Sequence, residues 1–396
     1  MLENATFLWN NDDEAFIRIQ TETGPTHKQM FAEKLPAMSQ LAETQFGLNF
    51  LRTTNFNETT VFSPISIALA LSLVHAGARG KSRQQLNNVI LDTSSDFYFE
   101  NYFSNFSKVF TQSFNRVHMN MANKLYMKSP VTVKVDFLKS IKQKYNAEAE
   151  GIDFTKSCSV QQINNYVKSA TKGDLTAKIT QDSVQNAISL LVNALSFSGA
   201  WENQWVSSSA SEWFQVNQKE KKLMPMMSDF SNRRYCADDI FQLLAIKYAD
   251  VRYEFSIFLP KRSDGLSEAV KKLNSKRFQN LLNCAKPALV RATIPTFTVE
   301  KGISLKNSLK SLGISEIFFD TADLSGIAER MKLSDGFHKA KLQINESGSG
   351  DRKSWAKKKP MIYKAQSTAV DFRATHPFLF ALTYQNHPIF LGVYRG

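Results

Sequence analysis

The sequence has few of the features that mark disulfide-rich or metal-binding proteins. Only three of its 396 residues are cysteines, Cys158, Cys236 and Cys284, and they stand far apart without the spacing of metal ligands. An odd number of cysteines cannot pair completely within one chain. The sequence therefore favours free thiols and a reducing compartment.

Long apolar runs are also missing. No stretch of about 18 consecutive apolar residues occurs, so no membrane span is expected. The N-terminal residues MLENATFLWNNDDEAF lack the basic start and apolar core of a signal peptide. A cytoplasmic monomer is the prediction, and secretion is the alternative, because glycosylation triplets begin at Asn4, Asn57, Asn105 and Asn345.

Recognisable catalytic motifs are absent. The chain contains no GxSxG, HExxH, P-loop or GxGxxG pattern, and its six histidines show no ligand spacing. We expect neither an enzyme nor a bound metal or cofactor.

What the sequence does contain is enough apolar material for a large core. Apolar residues make up 43% of the chain and phenylalanine alone numbers 30, which excludes general disorder. Residues 1–35 are polar and broken by Gly24-Pro25, so they are interpreted as an extension. Residues 36–396 show no repeat or linker and are predicted to form one domain.

The net charge of +13 suits a polyanionic partner such as heparin. Basic residues cluster in 134–144, 219–222, 271–277 and 352–359, and the third cluster includes Lys271, Lys272, Lys276 and Arg277. Aromatic residues do not alternate with them in the regular way that single-stranded nucleic acids stack upon. Solvated faces are the favoured interpretation, with polyanion binding as the alternative.

One stretch organises the chain. From His338 to Ile344, small and apolar residues alternate with polar ones, which predicts a strand with His338 on its buried face. The strand leads into Ser347-Gly348-Ser349-Gly350 and a long basic stretch. Such a long segment between two strands predicts a displayed loop over 347–370.

Other segments have clear local signatures. Pro64 follows Phe62-Ser63 at a predicted helix start, where its missing N–H costs little. LLVNALSFSGAW at 190–201 predicts an apolar strand followed by a glycine turn. The alternation from Tyr253 to Leu259 predicts a further strand.

These segments together resemble the serpin family of protease inhibitors. HKA followed by N-E-x-G-S resembles the hinge of a serpin reactive loop, VFSPISIALALSLVHAG resembles the helix B region, and LVNALSFSGAW and HPFLF resemble family strands. The resemblance covers residues 37–396. It implies an α+β fold with a large central mixed sheet, two smaller sheets, about eight or nine helices and an exposed reactive loop.

The resemblance also implies a mechanism and a set of site residues. In the family a protease cuts the exposed loop, and the freed strand inserts into the central sheet, which releases stored strain. Ser63, Ser66, Asn193 and His338 match the polar cluster beneath the sheet where the strands part, and Trp201 matches a tryptophan at the top of the sheet. The hinge positions are Glu346, Gly348, Ser349, Asp351, Arg352, Lys353, Ser354 and Trp355.

Counting along the loop leaves the scissile bond open. It falls after Ile362 when counted forward from the hinge and after Gln366 when counted back from Pro377. The scissile region therefore comprises Ile362, Tyr363, Lys364, Ala365, Gln366 and Ser367. Lys364 suits a trypsin-like protease and Tyr363 a chymotrypsin-like one, so the predicted partner is a serine or cysteine protease of open specificity.

The hinge departs from the family pattern at Asp351, Arg352, Lys353 and Ser354, where inhibitory members carry small residues. If Ser349 turns inward on insertion, Asp351, Lys353 and Trp355 turn inward with it. Buried charges cost several kcal/mol unless they are paired. The sequence therefore predicts weak or absent inhibition, with a working suicide inhibitor as the first alternative and a polyanion-binding member as the second.

Overall fold

The computed structural model describes residues 5–9, 15–19, 37–55, 57–111, 116–203, 205, 211–350 and 369–396. It divides into two compact units, Met1–Ala37 and Met38–Gly396. In the first unit, β1 (Ala5–Trp9) pairs antiparallel with β2 (Ala15–Ile19). This hairpin was not predicted, because its two runs of strand-forming residues are short and are set among polar residues.

Ten α-helices occur among the described residues, one more than the upper expectation. They are α1 (Ala37–Arg52), α2 (Pro64–Gly77), α3 (Gly80–Leu91), α4 (Asp96–Thr111), α5 (Val135–Tyr145), α6 (Ser157–Ala170), α7 (Gln181–Val184), α8 (Leu266–Lys272), α9 (Ser275–Cys284) and α10 (Lys306–Ser311). The predicted start at Pro64 is confirmed, and the Ser63 side chain caps α2 by accepting from the Ser66 backbone N–H.

Fifteen further strands belong to the second unit. They are β3 (Thr60–Phe62), β4 (Val117–Lys128), β5 (Glu148–Ile152), β6 (Ser189–Ala200), β7 (Ser211–Gln215), β8 (Lys221–Ala237), β9 (Phe241–Lys247), β10 (Tyr253–Pro260), β11 (Lys286–Pro295), β12 (Phe297–Ser304), β13 (Asp335–Asn345), β14 (Gly348–Ser349), β15 (Val370–Arg373), β16 (Phe378–Tyr384) and β17 (His387–Tyr394). The predicted strands at 253–259 and 338–344 are confirmed as β10 and β13.

The central sheet has six strands in the order β12-β13-β14-β6-β4-β5. The other nine strands of the second unit form one sheet in the order β15-β11-β8-β9-β10-β16-β17-β3, with β7 paired to β8. The α+β class is confirmed. The two smaller sheets that we expected form one continuous sheet. The long strand β8 joins them, because it pairs with β7 and β11 along most of its length and with β9 near its end.

Both faces of the central sheet are covered. On the outer face, α6 packs Ile163 and Val167 into a cluster with Val192 and Ala194 of β6. On the inner face, the Phe197 ring lies 4.9 Å from Tyr248 and 5.7 Å from Tyr253 of the larger sheet. Every residue of β6 is therefore buried.

The glycine turn expected near residue 199 does not occur, since β6 continues to Ala200. Gly199 is needed inside the strand for a different reason. A Cβ at this position would lie 2.8 Å from Cδ1 of Tyr248 and 3.0 Å from the Phe197 ring. The missing side chain lets the aromatic rings close against the strand.

The expectation of free thiols was wrong for two of the three cysteines. Cys236 near the end of β8 and Cys284 at the end of α9 form a disulfide, with their Cα atoms 5.9 Å apart. Cys158 is free and exposed. The packing of α9 against β8 joins residues 48 positions apart, a proximity that sequence spacing does not reveal.

Candidate functional site

The candidate site is the boundary between β13 and β6, called the seam below. Along most of its length the two strands pair directly and in parallel, from Asp335↔Leu190 to Lys341↔Ser196. At the other end the two-residue strand β14 lies between them. The seam is therefore closed by direct pairing in one part and held apart by β14 in the other.

A tight turn at Glu346-Ser347 carries the chain from β13 back into the seam. The Asn345 side-chain oxygen accepts from the backbone N–H groups of Ser347 and Gly348, at 2.9 and 3.2 Å. Gly348 has φ of +143°, a value that favours glycine. The expectation that the loop is exposed from residue 347 onward is corrected here, because Gly348 and Ser349 are buried in the sheet.

Two tryptophans hold this turn through main-chain contacts. The backbone N–H of Trp201 donates to the Ser347 carbonyl and that of Trp205 to the Glu346 carbonyl, both at 3.1 Å. The Trp201 indole N–H also donates to the Asn345 carbonyl at 2.8 Å. Trp201 therefore contacts the main chain of Asn345 and Ser347, in the turn that leads to Gly348 and Ser349.

The side chain of Ser349 turns inward, which is the condition that the sequence argument set for the later hinge residues. Its side chain is fully buried, and its Oγ lies 2.5 Å from the hydroxyl oxygen of Tyr248. Tyr248 in turn stacks on Trp201, with ring centroids 4.4 Å apart. Burial raises the pKa of Tyr248 far above its ordinary value, so its hydroxyl keeps its proton and bonds with Ser349 as a neutral group.

A polar cluster crosses the closed part of the seam. His338 of β13 lies opposite Asn193 of β6, and its Nδ1 is 2.6 Å from Asn193 Oδ1. The same oxygen accepts from the Ser66 hydroxyl at 2.6 Å. The Ser63 backbone N–H donates to His338 Nε2 at 3.0 Å. All four side chains are fully buried.

These contacts define the state of the imidazole. Because Nε2 accepts from Ser63, the ring proton resides on Nδ1 and is donated to Asn193. Burial lowers the pKa of His338 to about 3, so the ring is neutral at ordinary pH. The result is a direct side-chain bond across the two strands that an inserting strand would have to separate.

The remaining predicted loop residues lie outside the described part of the chain. These are Asp351, Arg352, Lys353, Ser354, Trp355, Ile362, Tyr363, Lys364, Ala365, Gln366 and Ser367. The described chain resumes just before β15, which pairs in parallel with β11.

Sequence reasoning missed Tyr248, Trp205 and the bracing role of Asn345. Tyr248 lies one residue beyond β9 and 101 residues before Ser349. The apolar run that precedes Tyr248 indicates a strand, but no pattern in the sequence indicates which serine its hydroxyl will reach.

The third basic cluster is partly neutralised. Arg277 of α9 bonds Asp238 at 2.6 Å and also pairs with Asp239. Lys271 and Lys272 belong to α8, and Lys276 to α9. One of the four cations proposed for a polyanion is therefore engaged within the protein.

Within the described ranges, no helix has both the length and the apolar character needed to cross a membrane. No group of three or more histidine, cysteine or acidic side chains in those ranges is arranged to hold a metal ion.

Comparisons with known proteins agree with the geometry. Residues 41–395 match the family model described as Serpin (serine protease inhibitor). The chain is 29% identical over 372 residues to a leukocyte elastase inhibitor of Xenopus tropicalis, covering 89% of this chain and 98% of that one. It is 30% identical over 318 residues to neuroserpin of Mus musculus, covering 76% and 77%.

Among solved structures, the crystal structure of uncleaved ovalbumin is similar with a TM-score of 0.82 at 24% identity. The match covers 90% of this chain and 99% of that one. At this level of identity the likeness shows the fold.

Proposed function

The chain belongs to the serpin family, and we propose that it is a weakly inhibitory or non-inhibitory member. Proteases cut its loop but are not trapped by it. The observation that carries this proposal is the register of β14. Because Gly348 and Ser349 already pair with both neighbouring strands, the position of every later residue on insertion follows from continued antiparallel pairing.

If pairing continues in that register, Asp351 would lie between Leu342 of β13 and Phe197 of β6. Lys353 follows beside Ala340 and Leu195 in the same way. All four neighbours are buried and apolar. Since Ser349 points inward, the two charged side chains share its face, and the residues directly beside them on both strands are apolar.

The free energies decide the outcome. Each ladder hydrogen bond contributes about 1 kcal/mol net, so a full strand gains on the order of 10 kcal/mol. Each unpaired buried charge costs several kcal/mol. The two side chains lie about 6.6 Å apart along the strand, so they offset only part of each other's cost. Insertion then loses most of its driving force.

Trp355 adds a second obstacle. In the same register it falls at the level of His338 and Asn193, whose hydrogen bond must break for a strand to enter. The space beneath the sheet there is occupied by Ser63 and Ser66 of the α2 start, which are fully buried. A bulky indole at this level slows insertion further, and slow insertion lets hydrolysis of the acyl-enzyme finish first.

One observation favours the alternative of a working inhibitor. Two hinge residues, Gly348 and Ser349, are already paired within the seam before any cleavage. Insertion therefore starts from a formed nucleus and not from a free loop. For either reading, residues 362–367 are proposed as the scissile region, with Lys364 or Tyr363 selecting the protease class.

The deciding experiment incubates the protein with trypsin-like, chymotrypsin-like and cysteine proteases. The proposal predicts cleavage of the loop and recovery of active protease, with no complex that survives detergent. A detergent-stable complex formed at near-equimolar ratio would establish the inhibitor instead.

Polyanion binding is the weaker second candidate. The ion pairs of Arg277 with Asp238 and Asp239 reduce the positive field of the 271–277 cluster. Retention on heparin at high salt, lost when Lys271, Lys272 and Lys276 are neutralised, would support it.

We also infer that the protein is secreted, which was the alternative to the predicted cytoplasmic location. The Cys236–Cys284 disulfide supports this, because disulfides persist in oxidising compartments and are rare in the cytosol. Asn57 and Asn105 are exposed, as a glycosylated side chain must be. A shift in gel mobility of the native protein after glycosidase treatment tests the inference, and an unmodified protein isolated from cytosol would contradict it.

A further inference from the structure

The β7–β8 hairpin exposes an apolar pair that the fold does not use. Trp213 of β7 lies directly opposite Leu223 of β8, and their side chains are 63% and 59% exposed. The next residue, Phe214, points the other way and is fully buried against Tyr394, with ring centroids 5.5 Å apart. The hairpin is anchored by Phe214, which leaves Trp213 and Leu223 free for an outside contact.

Positive charge borders this pair. Lys219 and Lys221 are exposed, and within the described ranges neither has a carboxylate at ion-pair distance. Lys222 is partly balanced by Glu220 at 3.6 Å. An apolar centre with a basic rim fits a partner that presents an apolar and acidic surface.

The hairpin is tied to the segment that follows the reactive loop. The Gln215 backbone N–H donates to the Thr375 carbonyl at 2.8 Å. Glu212 of β7 forms an ion pair with Arg373 at the end of β15. The hairpin that carries the exposed pair is thus bonded to residues 373–375, shortly after the loop that a protease must bind.

The size of the patch limits what it can bind by itself. Large aromatic side chains bury about 150–250 Å² each, so Trp213 and Leu223 together offer a few hundred Å² at most. A stable protein interface needs about 800 Å² from each partner. The patch is too small to hold a second copy of the chain by itself, and it suits a supplement to a contact made mainly by the loop.

We propose that Trp213, Leu223, Lys219 and Lys221 form a secondary docking surface for the protease that engages the loop, and that it favours proteases with an acidic, partly apolar rim. The proposal rests on the proposed interaction of the loop with proteases. It does not depend on whether the protease is afterwards trapped or released.

The test uses anionic and cationic trypsin, two isoforms with the same cleavage specificity and opposite net charge. The second-order rate constant of cleavage within residues 351–368 is measured on the full chain by mass analysis of the C-terminal fragment. A synthetic peptide of residues 347–370, which lacks the surface, corrects for intrinsic differences between the isoforms.

The variant K219E/K221E is expected to slow anionic trypsin by about tenfold at low salt and to leave cationic trypsin unslowed, since close charge pairs govern association rates. The difference should shrink at high salt. The variant W213S/L223S should slow both isoforms by about threefold to tenfold, the range expected for lost apolar contacts. Its melting temperature shows whether it is folded, and the charge variant tests the proposal independently.

Two controls match these changes elsewhere on the surface. K139E/K142E on α5 alters net charge equally, and F97S on α4 removes another exposed aromatic. Both should cleave like the parent chain. Rates for K219E/K221E and W213S/L223S that stay within about twofold of the controls with both isoforms would overturn the docking surface. If the protein traps trypsin, that result would contradict only the proposed lack of inhibition. The docking surface would still be tested, because the rate of loop cleavage is measured whether trypsin is trapped or released.

Discussion

The hydroxyl of Ser349 lies 2.5 Å from that of Tyr248, and both side chains are fully buried. This contact ties the first residues of the reactive loop to the residue that follows β9 in the second sheet. It sets Ser349 facing inward, and with it the side on which Asp351 and Lys353 would enter.

Replacing Tyr248 with phenylalanine should loosen the hinge. The Ser349 hydroxyl would lose its buried partner at a cost of about 1 kcal/mol or more, which raises the population of the released hinge about fivefold. Amide hydrogen exchange of residues 346–350 is the measurement. Tyr235→Phe is the matched control. The Tyr235 hydroxyl donates to Gln242 at 3.2 Å, and neither residue belongs to the hinge. Unchanged hinge exchange in Tyr248→Phe would show that the contact does not hold β14.

Acid should weaken the native state through His338. Burial lowers its pKa to about 3, below the ordinary value of about 6.5. The unfolded chain therefore binds a proton first, and stability falls as the pH drops from about 6.5 towards 3. This histidine alone should cost about 2 kcal/mol between about pH 7 and pH 5.

The measurement is the urea midpoint of the uncleaved protein as a function of pH. His338→Gln should flatten the slope whatever it does to the midpoint at neutral pH. His75 gives a comparison away from the seam, because burial lowers its pKa to about 4 and His75→Gln should flatten the slope similarly. A slope that His338→Gln leaves unchanged would contradict the neutral, buried imidazole.

The disulfide predicts a simple thiol count. Unfolded without reductant, the chain should titrate one thiol, that of Cys158, and after reduction it should titrate three. Cys236→Ser should lower the stability of the native state by about 4 kcal/mol, the chain-entropy value for a loop of this length. Three thiols before reduction would restore the original expectation of free cysteines.

Local patterns in the sequence were sufficient for much of the fold and part of the site. The alternation around His338 predicted a strand with that ring buried, and Ser63-Pro64 predicted the start of α2. The family motifs then placed Asn193 and Trp201 near the same seam. Each of these features is encoded within a few neighbouring residues.

Contacts between distant segments were not predictable in this way. Tyr248 meets Ser349, and Cys236 meets Cys284, only because separate strands and helices pack together. The joining of the two smaller sheets depends on the length of β8, which continues through 17 residues and pairs with β7, β11 and β9. The insertion of Gly348 and Ser349 was missed because their glycine-rich surroundings are typical of an exposed loop.

Removing the hinge charges should restore insertion. In D351A/K353A/W355A the positions that would face Leu342, Phe197, Ala340 and Leu195 carry small apolar side chains. The ladder of about 10 kcal/mol is then no longer opposed by buried charge. After loop cleavage this variant should melt well above its uncleaved form. R352A/S354A, which changes the alternate positions, is the control and should behave like the parent chain.

Whether the hinge residues prevent insertion is tested most directly by the melting temperature of the natural sequence before and after its loop is cut, with D351A/K353A/W355A measured beside it. We expect cleavage to leave the melting temperature of the parent chain within a few degrees of its uncleaved value, while the variant gains stability. A large rise in the cleaved parent chain would show that Asp351, Lys353 and Trp355 enter the seam, and would contradict the proposed lack of inhibition.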